Sequence, residues 1–369
     1  MSNLNNTEDF HWGKKYELLW IAIMILLSGF IAKFPQFLGV PEDIFYQKNV
    51  SFIFCPLLMI YFNWKNHQAW TKLIFPSVVV SIAAIYVNLF DLNNDTNSMD
   101  LIVVHLPILL WILLGNTYLG YSATHFKRGI DYLRFTADLA ILSFIILLSG
   151  FLFMTMTMGL FKIIGIDTSY LLQNYVLIWG LPSIPIMATY IVQNNPQIVN
   201  KISPLIAKIF TPMVTLMLCI FLFGIIITGK NPSKDRDFLL VFNALLIGVM
   251  ALIIFSLSEM TKKEKQAFQL YTLLALSSLT ILINCVALYA IFFRLVEFGF
   301  SANRIAVIGA DLLIFSHLVL VTRKLFLFHK AEAKVEEVEE SVGKFLPVYF
   351  VWVALIIFFL PLFFGKLVP

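Results

Sequence analysis

The sequence predicts an all-α fold, a polytopic transmembrane helical bundle of about 11 spans, on three observations. Hydrophobic residues make up 60% of the chain and charged residues 13%, with a mean hydropathy of +0.86, whereas soluble domains carry about 25% charged residues. Apolar runs long enough to cross a hydrocarbon core about 30 Å thick recur from one end of the chain to the other. The connections between them run from a few residues to about twenty, too short to fold alone. The expectation is therefore a single integral membrane domain over residues 1–369, in contact with the lipid bilayer.

Taken in order, the runs lie at 16–33, 48–63, 70–90, 101–120, 136–163, 171–192, 204–228, 237–257, 267–298, 301–325 and 345–365. The first follows fifteen polar residues and has no small-residue cleavage pattern behind it, so it reads as an uncleaved span. The run at 136–163 is too long to cross upright and must tilt or bend, with Gly150 and Gly159 as bend points. The run at 171–192 holds Gly180-Leu-Pro182-Ser183-Ile-Pro185. Two prolines so close remove backbone donors, so this helix is expected to be broken, either as a packing kink or to line a binding cavity as broken transporter helices do. Between the last two runs, the segment at 330–344 places Val335, Val338 and Val342 at helical spacing opposite a Glu-rich face. It is expected to form a short amphipathic helix on the cytoplasmic surface, or a solvated linker helix, and its acids weaken attraction to anionic lipid.

Charge sets the orientation. Counting Lys and Arg in alternating connections gives 17 on one side and 9 on the other, which favours a cytoplasmic N-terminus and an outside C-terminus. The net charge of +4 comes from these loop residues and gives no argument for nucleic acid.

Soluble-type chemistry finds no foothold. Cys55, Cys219 and Cys285 all lie inside apolar runs without paired spacing, and neither a metal nor a cofactor is expected. The loop Asp91-Leu-Asn93-Asn-Asp95-Thr-Asn97 begins like a calcium loop but has Thr96 where the turn needs Gly and Ile102 where a carboxylate should close the shell. Glu42 and Asp43, just after Pro41, are similar in position to the acidic outer loop of polytopic lipid-linked glycosyltransferases, although a helix start after Pro explains them as well.

The polar groups that a membrane segment should not carry gather between Arg294 and His317. Arg294 and Glu297 share a helix face and can pair, Gly299 allows the helix to end, and Ser301 can cap the next one. Asp311 lies ten residues beyond Ser301, roughly 15 Å deeper and near the bilayer midplane. Arg304 shares its face but is two turns away. An acid at that depth must be paired, hydrated or protonated, which makes it a functional candidate. His105, Asp138 and His317 lie nearer the span ends and are expected to reach the interface. The charged hairpin is read either as a buried clasp in which Glu297 holds Arg294 and Arg304, or as a solute or proton path.

The run Arg294-x-x-Glu297-Phe-Gly299-Phe-Ser301-Ala-Asn303-Arg304-Ile-Ala-Val, with Leu-Leu-Ile-Phe after Asp311, resembles the signature of a bacterial, Bacteroidetes-type family of polytopic membrane proteins known only as a domain of unknown function. The resemblance implies a permease-like integral protein of the bacterial cytoplasmic (inner) membrane and supplies no established activity. The expected function is binding or moving a small solute or lipid, proton-linked through Asp311. The substrate or proton path would then comprise Asp311, Arg304, Asn303, Glu297 and Arg294, with a broken-helix site at Gly180, Pro182, Ser183 and Pro185. The rival expectation is a non-transporting integral subunit or scaffold that clasps envelope protein partners. A polytopic lipid-linked transferase comes third, and an enzyme is the less favoured class.

Overall fold

A computed structural model describes residues 14–89, 96–120, 125–163, 168–195, 210–223, 225, 227, 236–260 and 267–364. Asp91 to Asp95 of the calcium-like loop lies outside them. The described residues are helical, with no strand among them. In chain order the helices are α1 (Lys15–Ala32), α2 (Phe34–Leu38), α3 (Glu42–Lys65), α4 (Ile74–Leu89), α5 (Thr96–Leu119), α6 (His125–Ile163), α7 (Ser169–Leu171) and α8 (Ile178–Asn194). They continue as α9 (Phe210–Phe223), α10 (Arg236–Met260), α11 (Ala267–Phe298), α12 (Ala302–His329), α13 (Val335–Gly343), α14 (Leu346–Phe358) and α15 (Leu360–Phe364).

Among the described residues nine segments are long and apolar enough to cross a membrane, and two shorter apolar helices lie at Phe210–Phe223 and Leu245–Leu257. Large apolar side chains point outward, Phe151 at 65% and Phe153 at 73% exposure on α6. Acyl chains can cover such a surface and water cannot. The chain is a multi-pass helical membrane protein.

Helix α6 has 39 residues, roughly 58 Å at 1.5 Å per residue against a core of about 30 Å. Its first ten residues hold Lys127, Arg128, Asp131 and Arg134 and form a polar extension, but the remaining 29, roughly 44 Å, still exceed the core, so the run has to tilt.

The contacts divide the chain into two compact units, Met1–Tyr61 with Phe135–Ser203 and Phe62–Arg134 with Pro204–Pro369. In the first, α1 packs on α8, and the indole of Trp179 lies directly against the backbone of Gly29, where a Cβ would overlap the ring. Small residues allow such approach, and close packing rather than the hydrophobic effect holds helices together in lipid. The acids Glu42 and Asp43 occupy the first turn of α3, and Glu42 accepts a 2.9 Å hydrogen bond from Gln36 Nε2. The helix-start reading accounts for them.

In the second unit, α10, α11 and α12 build one core. Leu246, Val249, Ile253 and Leu257 of α10 meet Leu273, Leu276 and Ile283 of α11 and Leu318, Val321 and Leu325 of α12, all buried. Helix α14 lies on α5 and reaches α12. Two further glycine contacts occur here: a Cβ on Gly115 would come within 2.6 Å of the Tyr132 ring, and one on Gly309 would overlap the indole of Trp352.

The 330–344 segment differs from expectation. It forms α13, but Val338 and Val342 are each 1% exposed and belong to the α10–α12 core. Protein, not lipid or solvent, covers the apolar face. The acids opposite are tied down: Glu337 to Lys324 at 2.6 Å, Glu339 to Arg134 at 3.5 Å and Glu340 to Lys344 at 3.3 Å.

Candidate functional site

The hairpin between α11 and α12 forms from local rules. Gly299 takes φ +75°, a left-handed conformation that a residue with a Cβ adopts at a cost, and so ends α11. Ser301 is extended, and its Oγ accepts the Arg304 backbone N–H at 3.4 Å as the cap of α12.

The charges there do not form the expected clasp. Glu297 is exposed, and no ion pair joins it to Arg294, whose guanidinium lies 5.4 Å from the centre of the Phe298 ring. Arg304 stands over the same ring at 5.6 Å and donates through Nη1 to the carbonyls of Phe298, at 2.8 Å, and Gly299, at 2.7 Å. Those carbonyls are freed where α11 ends, so a cation near them satisfies the helix terminus. Asn303 is half-buried beside it. Glu297→Ala is accordingly expected to change the melting temperature no more than Glu42→Ala does, because neither acid is buried; a large loss for Glu297→Ala alone would restore the clasp.

Asp311 stands apart from those residues. It is 2% exposed, and its Oδ2 has no hydrogen-bond partner among the described residues. It heads the buried stripe Ile314, Leu318, Val321, Leu325 and Phe328, spaced three and four apart along α12. Above it, Val307 and Ile308 pack on Ala290 and Ile291 of α11. Continued one turn inward, that antiparallel register brings the Asn284–Ala287 turn of α11 alongside Asp311. Asn284 is fully buried, and neither of its amide atoms has a partner among the described residues. Beside Ser277 and Thr280, whose buried hydroxyls bond carbonyls of their own helix, the seam thus carries a carboxyl and an amide with unmade hydrogen bonds, an arrangement that costs free energy unless a proton, water or ligand completes it. Nothing in the spacing of the sequence singled out Asn284; it becomes visible only when α11 is laid against α12.

His317 was expected to reach the interface and does not. It is 1% exposed, stacked flat on Phe345 at 4.3 Å, and its Nδ1 lies 3.0 Å from the Tyr349 hydroxyl, while Nε2 has no partner among the described residues. Helix α14 covers the face that depth alone assigned to solvent. Asp138 is also buried, at 7% exposure. His105 is half-buried, with Nδ1 2.8 Å from the Leu101 carbonyl.

The proline segment departs from expectation in a different way. Helix α8 runs unbroken through Pro182 and Pro185. Ser183, buried, donates through Oγ to the Gly180 carbonyl at 2.6 Å, a back-bond within the same turn, while the carbonyls of Ile178 and Leu181 are the ones that Pro182 and Pro185 leave without an N–H. The irregularity lies earlier, in a π-helical segment at Leu172–Leu177. It presents Asn174 and Tyr175 to the junction of α1 and α2, where Lys33 Nζ sits 3.4 Å from the Tyr175 ring centre and Gln36 of α2 donates to Asn174 Oδ1 at 3.4 Å.

One buried acid had no sequence signal at all. Glu17 is 6% exposed in the first turn of α1; its Oε1 accepts from the Tyr61 hydroxyl at 2.7 Å and from Asn194 Nδ2 at 3.2 Å. Glu17→Ala removes the acceptor from a buried hydroxyl, which costs about 1–3 kcal/mol. It should lower the melting temperature in detergent clearly, and Glu17→Gln should lower it less; equal melting of Glu17→Ala and wild type would show the bonds to be dispensable.

No group of three or more His, Cys, Asp and Glu able to hold a metal occurs among the described residues. Comparison with family models, with curated proteins and with solved structures finds no match to this chain.

Proposed function

We propose that this multi-pass protein is a permease-like carrier that binds or moves a small solute or lipid, with Asp311 as the site where a proton couples to that movement. The observation that carries the reading is the isolation of Asp311: a fully buried carboxyl with no cation beside it, while Arg304, the arginine on its own face, is engaged two turns away by the Phe298 and Gly299 carbonyls. A structural clasp needs a partner of opposite charge. A proton carrier needs an acid whose second state is within reach, and Asn284 across the seam offers hydrogen bonds to either state.

The reading extends to eleven crossings, with Phe210–Phe223 and Leu245–Leu257 added to the nine longer segments. In its support, the Arg134–Glu339 pair and the contact of Gly129 with Gly343 bring 129–134 and 339–343 to one end of their unit. An even number of crossings must separate them, so the two shorter helices cross together or not at all, and one crossing alone is excluded. It also extends to the bacterial inner membrane, with the N-terminus cytoplasmic, on the hairpin signature and the charge bias. A C-terminal alkaline phosphatase fusion should be active; inactivity there with a fluorescent cytoplasmic reporter lit instead would reverse the orientation.

The function is tested in proteoliposomes loaded with buffer and bathed in a metabolite and lipid extract, with a pH gradient imposed and contents read by mass spectrometry. At least one compound should accumulate with the wild type and fail to do so with Asp311→Asn. Accumulation unaffected by Asp311→Asn would remove the proton role, and no gradient-driven accumulation with the wild type would remove the carrier reading.

A further inference from the structure

An open groove of about 610 Å³ runs between α11 and α12 in the second unit. Its apolar part is lined by Leu274, Ala275 and Ile281 of α11 and by Val319 and Phe326 of α12. On α12 it extends from Val319 to His329, roughly 15 Å at 1.5 Å per residue, which is the depth of one leaflet's hydrocarbon, half of about 30 Å. Helix ends at the membrane surface then place His329 and Lys330 at headgroup level.

Two polar groups along this groove make no hydrogen bond or ion pair among the described residues. Arg323 is exposed, lines the groove and makes no ion pair or hydrogen bond among the described residues. Its neighbour Lys324 is paired with Glu337, and the nearby acids Glu339 and Glu340 are paired with Arg134 and Lys344. Thr322 also lines the groove, and its Oγ1 is buried with no partner among the described residues. His329 lies edge-on to Tyr271 at 5.1 Å at the mouth, and Lys330 stands 4.8 Å over the Phe326 ring. A guanidinium inside the hydrocarbon boundary must extend toward the surface and find a counter-charge there.

We infer that this groove holds an anionic phospholipid, one acyl chain lying along Leu274, Ala275 and Ile281 and the phosphate bound by Arg323, whose side chain extends toward His329 and Lys330 at headgroup level. Basic pockets between membrane helices bind anionic headgroups in this way, and Arg matches phosphate with two parallel donors. The site is lateral, facing the bilayer, and does not depend on Asp311 or on transport.

Native mass spectrometry of the full chain in mild detergent tests it, with phosphatidylglycerol, phosphatidylcholine of the same chains and glycerol phosphate as probes. Phosphatidylglycerol should be retained at least ten-fold more strongly than phosphatidylcholine, and glycerol phosphate should not be retained. Arg323→Gln should abolish the preference while leaving the melting temperature without lipid unchanged. Ala275→Phe, which fills the groove and keeps Arg323, should weaken phosphatidylglycerol by a similar factor. Equal retention of the two lipids, glycerol phosphate binding as well as the lipid, or a preference that survives Arg323→Gln would each overturn the assignment.

Discussion

Gly309→Ala is expected to be among the most destabilising single-methyl changes in the protein. A Cβ at Gly309 overlaps three atoms of the Trp352 six-membered ring region, on a helix packed on both sides, so either the indole or the backbone must move. Overpacking of this kind costs about 1–3 kcal/mol, and Gly309→Leu more. The gain in helix propensity from Gly to Ala, about 1 kcal/mol, works in the opposite direction and is smaller than the clash when the blocking group is a large aromatic. Thermal unfolding in detergent measures the difference. Trp352→Leu in the Gly309→Ala background should recover part of the loss, a coupling that distant residues would not show. Gly180→Ala, at a glycine with nothing within 4 Å of a Cβ, is the control and should be neutral or stabilising. Equal behaviour of Gly309→Ala and Gly180→Ala would mean that the Trp352 contact does not constrain α12.

Asp311→Asn is expected to leave folding intact and to remove one titrating carboxyl from the membrane interior. The side chain keeps its shape, and an amide in a buried site that lacks an opposing cation loses no ion pair. Infrared difference spectra taken across a pH titration should show a buried carboxyl band that the Asn variant lacks, while the melting temperature stays within about 1 kcal/mol of stability, the usual scale for a near-isosteric change. Failure of Asp311→Asn to fold would instead make the carboxylate a charged structural partner. Asn284→Ala separates the two roles further: it should shift the pH at which that band changes if Asn284 faces Asp311 across the seam, and leave it fixed if it does not.

The parts of this structure that the residues announced are those governed by local rules. Gly299 and Ser301 end one helix and begin the next because a left-handed residue and a capping hydroxyl act within a few positions of themselves. The depth of Asp311 follows from counting residues at a fixed rise. What the residues did not announce are pairings across the bundle. Sharing a helix face allowed Arg294 and Glu297 to pair, but it did not oblige them to, and Arg304 found carbonyls nearer than any acid. Depth placed His317 toward an interface, yet α14, arriving from elsewhere in the chain, covers it. The spacing of Val335, Val338 and Val342 showed that α13 has an apolar face, and only the fold shows that a protein core lies under it. Pro182 and Pro185 marked a weak helix, while the irregularity was placed a turn earlier, where Asn174 and Tyr175 have partners.

The fit of Trp352 against Gly309 has a mechanical consequence. A ring seated in a notch without a Cβ acts as a key: α12 can neither slide along α14 nor turn about its own axis without first lifting the indole out. His317, stacked on Phe345 two turns away, pins the same pair a second time. The α12–α14 contact is therefore stiff although it is small, and it adds to the broad packing of α12 on α11. If α12 moves, α14 should travel with it as one lever, and a crosslink between α12 and α14 should leave that motion free.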